Sequence, residues 1–509
     1  MTRQPAFKIR EFLRKILLAK TDSFIGTVVV QYPMLLFKTQ RRSVNAGIDG
    51  KMKKLIGNKD FYKMVLLVAV PIMIQNGITN FVGLLDNVMV GQVGTEQMSG
   101  VAIVNQLLFV YNLCIFGGLS GAGIFGAQFY GQGNKDGVRD IFRFKIWIGL
   151  LITAIGFFVL SLFGEPLINM YLTGETNQEN VATALVYGRE YLWIMLIGII
   201  PFCIVQIYSS TLRETGETIL PMLAGIAAVV VNLVFNYILI FGKFGAPALG
   251  VAGAAVATVI SRFVECAIVV VWTHRHKERN PYMEGLYKSL RVPLQLTKKV
   301  IIKGTPLLLN ETMWAAGMAM LLQCYSVRGL NVVAGMNISN TIANLFNVVF
   351  IALGSSVAII VGQLLGAGKM EEARDTDTKM IAFSVASCVL IGAVMVVIAP
   401  LFPRIYNTSG EVQRLAESFI IVAAVFMPQN AFLHSAYFTL RSGGKTVITF
   451  LFDSVFIWVV SIPLAYLLCR YTEMNIVAVY FCCQGIEIIK SVIGFILVKK
   501  GVWLQNIVA

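Results

Sequence analysis

The stretch QFYGQGNKDGVRD (128–140) returns in the second half of the chain as QLLGAGKMEEARD (363–375). At this same offset, 71–140 aligns with 306–375 without a gap, and thirteen of the 70 positions are identical. Roughly five would coincide by chance in so apolar a composition. A second match sets TLRETGET (211–218) against TLRSGGKT (439–446), at a slightly shorter offset. The chain is therefore a duplicated unit whose matched pieces are hairpins between apolar stretches.

Composition says where that unit lives. Of 509 residues, 57% are hydrophobic and only 14% charged, with mean hydropathy +0.73. A soluble domain carries about 25% charged residues, so too few remain here to solvate a surface. Apolar stretches of about 20 residues recur, enough to cross a bilayer. They predict spans at 65–90, 101–128, 141–163, 187–208, 217–242, 249–272, 300–325, 333–362, 378–401, 414–440, 446–469 and 475–498. The expected fold is an all-α integral membrane protein of twelve transmembrane helices. Parallel repeats place them in two six-helix lobes related by a pseudo-two-fold axis along the membrane normal. The expected division is an amino lobe at 52–272, an inter-lobe loop at 273–299 and a carboxy lobe at 300–509. Residues 1–51 do not fit. KIREFLRKILLAK (8–20) reads as a basic amphipathic surface helix, and the apolar segment 24–37 is too short to span. Met52-Lys53-Lys54 reads as a natural start, so 1–51 is expected to be a dispensable extension.

The net charge of +15 lies in short loops between spans rather than in a patch for nucleic acid, and no nucleic-acid partner is expected. From Met52 onward, alternate loops carry 24 Lys and Arg on one side and 5 on the other. This bias makes both termini cytoplasmic and favours an even number of spans. The expected location is the plasma membrane, multi-pass. Eight cysteines are scattered without a CxxC pair, and the three histidines supply no ligand cluster or catalytic set. No enzyme activity, cofactor or resident metal is expected. His274 and His276, in the loop 273–299, read as solvated.

Charges inside the spans carry the functional signal. A charged side chain near mid-bilayer costs about 2.5–3.5 kcal/mol on insertion scales, so it is a functional candidate by default. Asp86, late in the first span, and Glu311, midway in the seventh, have no basic neighbour on their own helices. Such a carboxyl group can hold a proton, or when ionised can ligate Na⁺ with amide and hydroxyl oxygens. Asn232 and Asn236 in VVVNLVFNYILIFG share one helical face. Thr258 in LGVAGAAVATVIS offers a hydroxyl next to glycines that permit close helix approach. The repeat sets Glu311 opposite Asn76, so the halves do not carry one equivalent acid; Gln75 and Asn76 are assigned to the substrate cavity. Arg262 with Glu265, and Glu487 with Lys490, are i,i+3 pairs expected to neutralise each other. Asp453 lies within reach of the cytoplasmic end of its span, and His434 reads as a packed core histidine.

LLDNVMVGQVG, GAQFYGQGN, TLRETGET, NLVFNYILIFG and GVAGAAVATVIS together resemble the multidrug and toxic compound extrusion (MATE) family of cation-coupled exporters. The resemblance covers roughly 60–500 and keeps the family order. It implies two six-helix lobes around a central cavity that alternates access. It further implies a secondary active antiporter that exports amphipathic, often cationic compounds in exchange for H⁺ or Na⁺, with small-molecule substrates and the lipid bilayer as partners. Asp86, Asn232 and Thr258 match an amino-lobe cation site. Asn236 stands where many members have Asp, which leaves H⁺ and Na⁺ both open. Any Na⁺ would sit at Asp86, Asn232, Asn236 and Thr258. Glu311 matches a seventh-helix acid of some members, but the tenth helix lacks its partner Asp, and Glu311 alone suits a proton. The protein is expected to be a monomer. The runner-up is a lipid-linked oligosaccharide flippase, which would need a strongly basic cavity, and few basic residues are expected inside the bundle.

Overall fold

The computed structural model describes residues 55–172, 178–406 and 408–509; at 81–88, 95–96 and 178 it describes the backbone alone. The extension at 1–51 lies outside the described residues.

Twelve long helices follow one another in the described chain. The first six are α1 (Lys59–Gly91), α2 (Thr95–Gln132), α3 (Lys135–Leu172), α4 (Gln178–Glu214), α5 (Ile219–Phe241) and α6 (Gly250–Arg275). The second six are α7 (Leu294–Ser326), α8 (Leu330–Gly366), α9 (Met370–Ile398), α10 (Gly410–Ser442), α11 (Thr446–Tyr471) and α12 (Ile476–Lys500). Eleven are long and apolar enough to cross a membrane. The twelfth, α7, has 33 residues and is more polar, carrying Asn310, Glu311, Thr312 and Gln323. The fold is the all-helical, two-lobed, twelve-helix arrangement the duplication implies.

Helix boundaries repeat with the sequence. At the offset of the first match, Lys59 and Gly91 at the ends of α1 fall on Leu294 and Ser326 at the ends of α7. Thr95 and Lys135, which begin α2 and α3, fall on Leu330 and Met370, which begin α8 and α9. At the offset of the second match, Glu214 at the end of α4 falls on Ser442 at the end of α10. The repeated glycines explain the matched hairpins. Gly133 and Gly368 take φ of 78° and 74°, and Gly216 and Gly444 take 88° and 72°. This left-handed backbone strains any residue with a Cβ, so glycine ends these helices and turns the chain.

Two expectations needed revision. α2, α3 and α4 run to 38, 38 and 37 residues, about 55 Å at 1.5 Å per residue. They therefore continue well past a hydrocarbon core of about 30 Å, beyond the apolar stretches that marked them. The inter-lobe loop is not wholly solvated either. Tyr282, Met283 and Leu286 are buried because Arg139 donates to the Tyr282 carbonyl at 3.2 Å and Arg143 to the Leu286 carbonyl at 3.1 Å. His274 lies in the last turn of α6 with its Nε2 3.0 Å from the Tyr208 hydroxyl. Among the described residues, no cluster of His, Cys, Asp and Glu could hold a metal.

Candidate functional site

The amino-lobe amides come together as the helical spacing requires. Asn236 Nδ2 donates to Asn232 Oδ1 at 3.2 Å, and Asn232 Nδ2 donates to Thr258 Oγ1 at 3.2 Å. Thr258 in turn donates to the Ala254 carbonyl at 3.0 Å. Asn232 and Asn236 are buried, and the chain of bonds ties α5 to α6. α1 packs along α5, the helix that carries Asn232 and Asn236, and position 86 lies on α1. The Asp86 side chain lies outside the described residues. Gln75 is half-buried on α1 and donates to the Pro221 carbonyl at 3.5 Å; Asn76 beside it is half-buried too.

Glu311 sits on α7 against Gly117 of α2, at the contact between lobes. Its neighbour Asn310, which sequence reasoning passed over, organises a larger polar cluster. Asn310 Nδ2 lies 3.1 Å from Asp453 Oδ2 and 3.3 Å from the Tyr437 hydroxyl. Asn310 Oδ1 accepts from the Ser454 hydroxyl at 2.7 Å. Lys490 reaches Asp453 at 3.3 Å and Glu487 at 2.7 Å. The Glu487–Lys490 pair is as expected, and Asp453 gains a lysine partner that sequence distance concealed. His434 packs against the rings of Phe350 and Phe438, as a core histidine does. Arg262 makes its direct contacts elsewhere: it donates to the Gly198 carbonyl at 3.3 Å and lies over the Phe202 ring, and Glu265 stays close enough to act on its charge without a salt-bridge contact among the described residues. The i,i+3 spacing keeps the two charges near each other, while the hydrogen bond goes to a carbonyl on the neighbouring helix α4.

Several charges at the cytoplasmic ends of the predicted spans lie at or beside the interface between the halves. Lys145 is fully buried, ten residues into α3, with Nζ 2.7 Å from both carboxylate oxygens of Glu214. It also donates to Ser210 and Thr211. The Glu214 carboxylate lies directly on α2, where Gly123 and Gly126 leave room for it. The Glu214 carbonyl accepts from Gln363 Nε2 at 2.8 Å. Its repeat-related counterpart is present: Gln128 Nε2 donates to the Ser442 carbonyl at 2.9 Å. Gln128 and Gln363 are the identical glutamines of the first match, and Glu214 and Ser442 are equivalent positions of the second. Gly131 and Gly366 meet the backbones of Gln363 and Gln128, so any side chain at either glycine would push the lobes apart. Gln128 further donates to the Gln505 carbonyl at 3.2 Å and accepts from the Ile507 N–H at 2.8 Å. A cavity of about 120 Å³ lies above this latch between α2, α4, α8 and α10, lined by Arg213, Glu214 and Arg441. The expectation of few embedded basic residues fails here. Lys145, Arg441 and Lys490 are all buried: Arg441 because its helix outruns the apolar stretch that marked it, Lys145 and Lys490 because each finds a carboxylate partner inside its span.

Two repeat-related six-helix lobes, latched at one end and carrying buried polar chains, define a multi-pass membrane transporter rather than an enzyme. A family profile described as MatE matches residues 71–238 and 307–467. The chain belongs to the MatE family. It is 25% identical over 451 residues to the probable multidrug resistance protein NorM of Thermotoga maritima, covering 88% of this chain and 94% of that protein. It is 23% identical to the probable multidrug resistance protein YoeA of Bacillus subtilis, over 82% of this chain and 89% of that one. Among solved structures it is similar to an outward-facing MATE-family transporter, with TM-score 0.77 at 19% identity, covering 89% of this chain and 98% of that chain.

Proposed function

We propose that this chain is a secondary active antiporter of the plasma membrane, exporting amphipathic small molecules in exchange for H⁺ or Na⁺ by alternating access of its two lobes. The names of the NorM and YoeA relatives support multidrug efflux. The observation that carries the reading is the latch. Each lobe reaches the other through one glutamine bonded to a backbone carbonyl at a helix end, and the two bonds are repeat-related. Such bonds contribute about 0.5–1.5 kcal/mol each, which suits an interface that opens and recloses. The charge bias of the loops supports placing this end in the cytoplasm, with both termini. The working division is an amino lobe at 52–272, a loop at 273–299 and a carboxy lobe at 300–509, functioning as a monomer.

Coupling is assigned to Asp86 with Asn232, Asn236 and Thr258, and to Glu311 in the second lobe. Gln75 and Asn76 belong to the substrate path. Ion and substrate drive export when they favour different states of the two-lobe equilibrium. A proton arriving at Asp86 changes what it can donate to or accept from the amide chain, and so the bend of α1. Proteoliposomes with imposed H⁺ or Na⁺ gradients test this: one gradient is expected to drive uphill movement of a fluorescent drug. Movement unaffected by either gradient would rule out antiport. A lipid-linked oligosaccharide flippase calls for basic residues along the whole interface, whereas Arg213 and Arg441 both stand in the last turns of their helices, at one end.

A further inference from the structure

Arg213 and Arg441 occupy equivalent positions in the two halves, in TLRETGET and TLRSGGKT, and both line the cavity between the lobes. Basic residues in a last helical turn are ordinarily solvated and complement the helix dipole. These two are not solvated in that way. Arg441 is only 6% exposed. Arg213 Nε and Arg441 Nη1 are buried without a hydrogen-bond partner among the described residues. Among the described residues no ion pair to either guanidinium forms, and Lys145 holds both oxygens of Glu214, the carboxylate that lines this cavity. A buried charged donor left without a partner costs more than its hydrogen bond would contribute. The cavity therefore presents two guanidinium groups against one carboxylate that is already held by a lysine.

The rest of the wall fits an amphiphile. Arg441 stacks its guanidinium over Phe438 at 5.2 Å and Phe116 at 5.9 Å, which fixes the group and leaves its edge for a planar or tetrahedral anion. Ser120 and Ser355, another repeat-related pair, flank the same space, and Ile124 and Ile359 supply apolar surface. At about 120 Å³ the space holds an anionic head group but is too small for a whole drug-sized ligand, whose pockets run to several hundred Å³.

We propose that Arg213 and Arg441 form an anion-binding pair at the lobe interface, and that the substrates include amphiphiles bearing a carboxylate or phosphate group. This rests on the exporter reading above and adds the charge of what is carried, which differs from the cationic compounds that the resemblance implies. The head group binds between the two guanidinium groups, each from one lobe, so the ligand bridges the halves at the surface that must separate.

Equilibrium binding to the purified full chain tests the pair without requiring transport. The probes are two dyes of matched size, one a carboxylate and one its positively charged ester. Arg213→Gln and Arg441→Gln are each expected to weaken carboxylate-dye binding at least tenfold and leave the cationic dye within about twofold; Arg441→Lys should recover part of the loss. Uptake into phosphatidylcholine proteoliposomes should show the same selectivity. Adding phosphatidylglycerol to the bilayer separates the sources of the anion: competition with the dye in wild type but not in the variants assigns the pair to a lipid head group, and no competition assigns it to soluble amphiphiles. Equal weakening of both dyes, or binding of the cationic dye alone, would overturn the proposal. Carboxylate-dye binding without gradient-driven uptake would leave the anion pair standing and defeat the antiporter reading instead.

Discussion

The two lobes share helix boundaries and differ in what they bury. Thr211 and Thr439 are equivalent residues of the second repeat match. In the amino lobe Thr211 accepts from the ammonium of Lys145 at 3.0 Å, whereas in the carboxy lobe Thr439 shares a 2.5 Å bond with the carboxyl group of Asp377. The contrast extends along the following helices. α5 is a continuous α-helix carrying two neutral amides. Its counterpart α11 opens into π-helical turns at Leu451–Val455 and Ile457–Ser461, and the first of these holds Asp453. α6 is unbroken, whereas α12 turns at Ile486–Glu487, where Glu487 meets Lys490. π-bulges and interrupted helices cluster at functional sites in membrane proteins because they expose side chains and backbone that a regular helix hides. Duplication thus preserved the hairpins that set the helix ends, while the buried chemistry diverged. The amino lobe keeps a neutral amide chain beside the helix of Asp86, and the carboxy lobe keeps an ionic one.

The largest expected effect removes the coupling assigned to one lobe. Asp86→Asn should leave expression and folding intact and abolish drug–cation exchange in vesicles, by about a hundredfold or more. Wild-type exchange in that variant would refute the role of Asp86 and erase the functional asymmetry. Next in size is the contrast between the charged partners of the two threonines. Lys145→Met strands the Glu214 carboxylate against Gly123 and Gly126, and breaking one side of a buried pair costs about 3–5 kcal/mol. Asp377→Asn retains an acceptor for Thr439 and should cost about 1 kcal/mol. Thermal unfolding in detergent compares them directly; equal losses would mean that the two buried charges are equivalent after all.

Much of this is legible in the sequence because bilayers simplify the reading. Periodic apolar stretches locate every helix, and the constant offset of the first repeat match locates the lobes without any contact being known. Asn232 and Asn236 can be paired from their i,i+4 spacing alone. The interface is not legible in that way. Counting charge by loop sets Lys145, in DIFRFKIWIGLL, with the cytoplasmic side at the start of its span, although aromatic and aliphatic neighbours on both sides signal a helix that packs against protein there. Arg213, Glu214 and Arg441 are hidden because a hydropathy boundary marks where lipid ends and not where burial ends. Asp453 and Lys490 lie on different helices, and only packing could bring them together. The glutamines do leave a trace: an identical polar residue at the same place in both halves, close to a glycine, is hard to explain by helix formation alone.

The smallest expected effect tests how even the latch is. Gln128 makes three bonds, to the Ser442 and Gln505 carbonyls and from the Ile507 N–H. Among the described residues the Gln363 side chain makes one, to the Glu214 carbonyl. Removing a bond costs about 1 kcal/mol, with more where a buried group is left unpaired. Gln128→Ala should therefore favour the state open at this end by about 2 kcal/mol, and Gln363→Ala by about 1 kcal/mol. Spin labels placed on the ends of α2 and α8 would report the shift as a longer-distance population in reconstituted protein. If the two variants open the interface equally, residues 505–507 contribute nothing to closure and the latch is as symmetric as its sequence. If Gln128→Ala opens it further, the carboxy-terminal segment has broken the two-fold symmetry of the closed state, and it has done so at a residue both halves share.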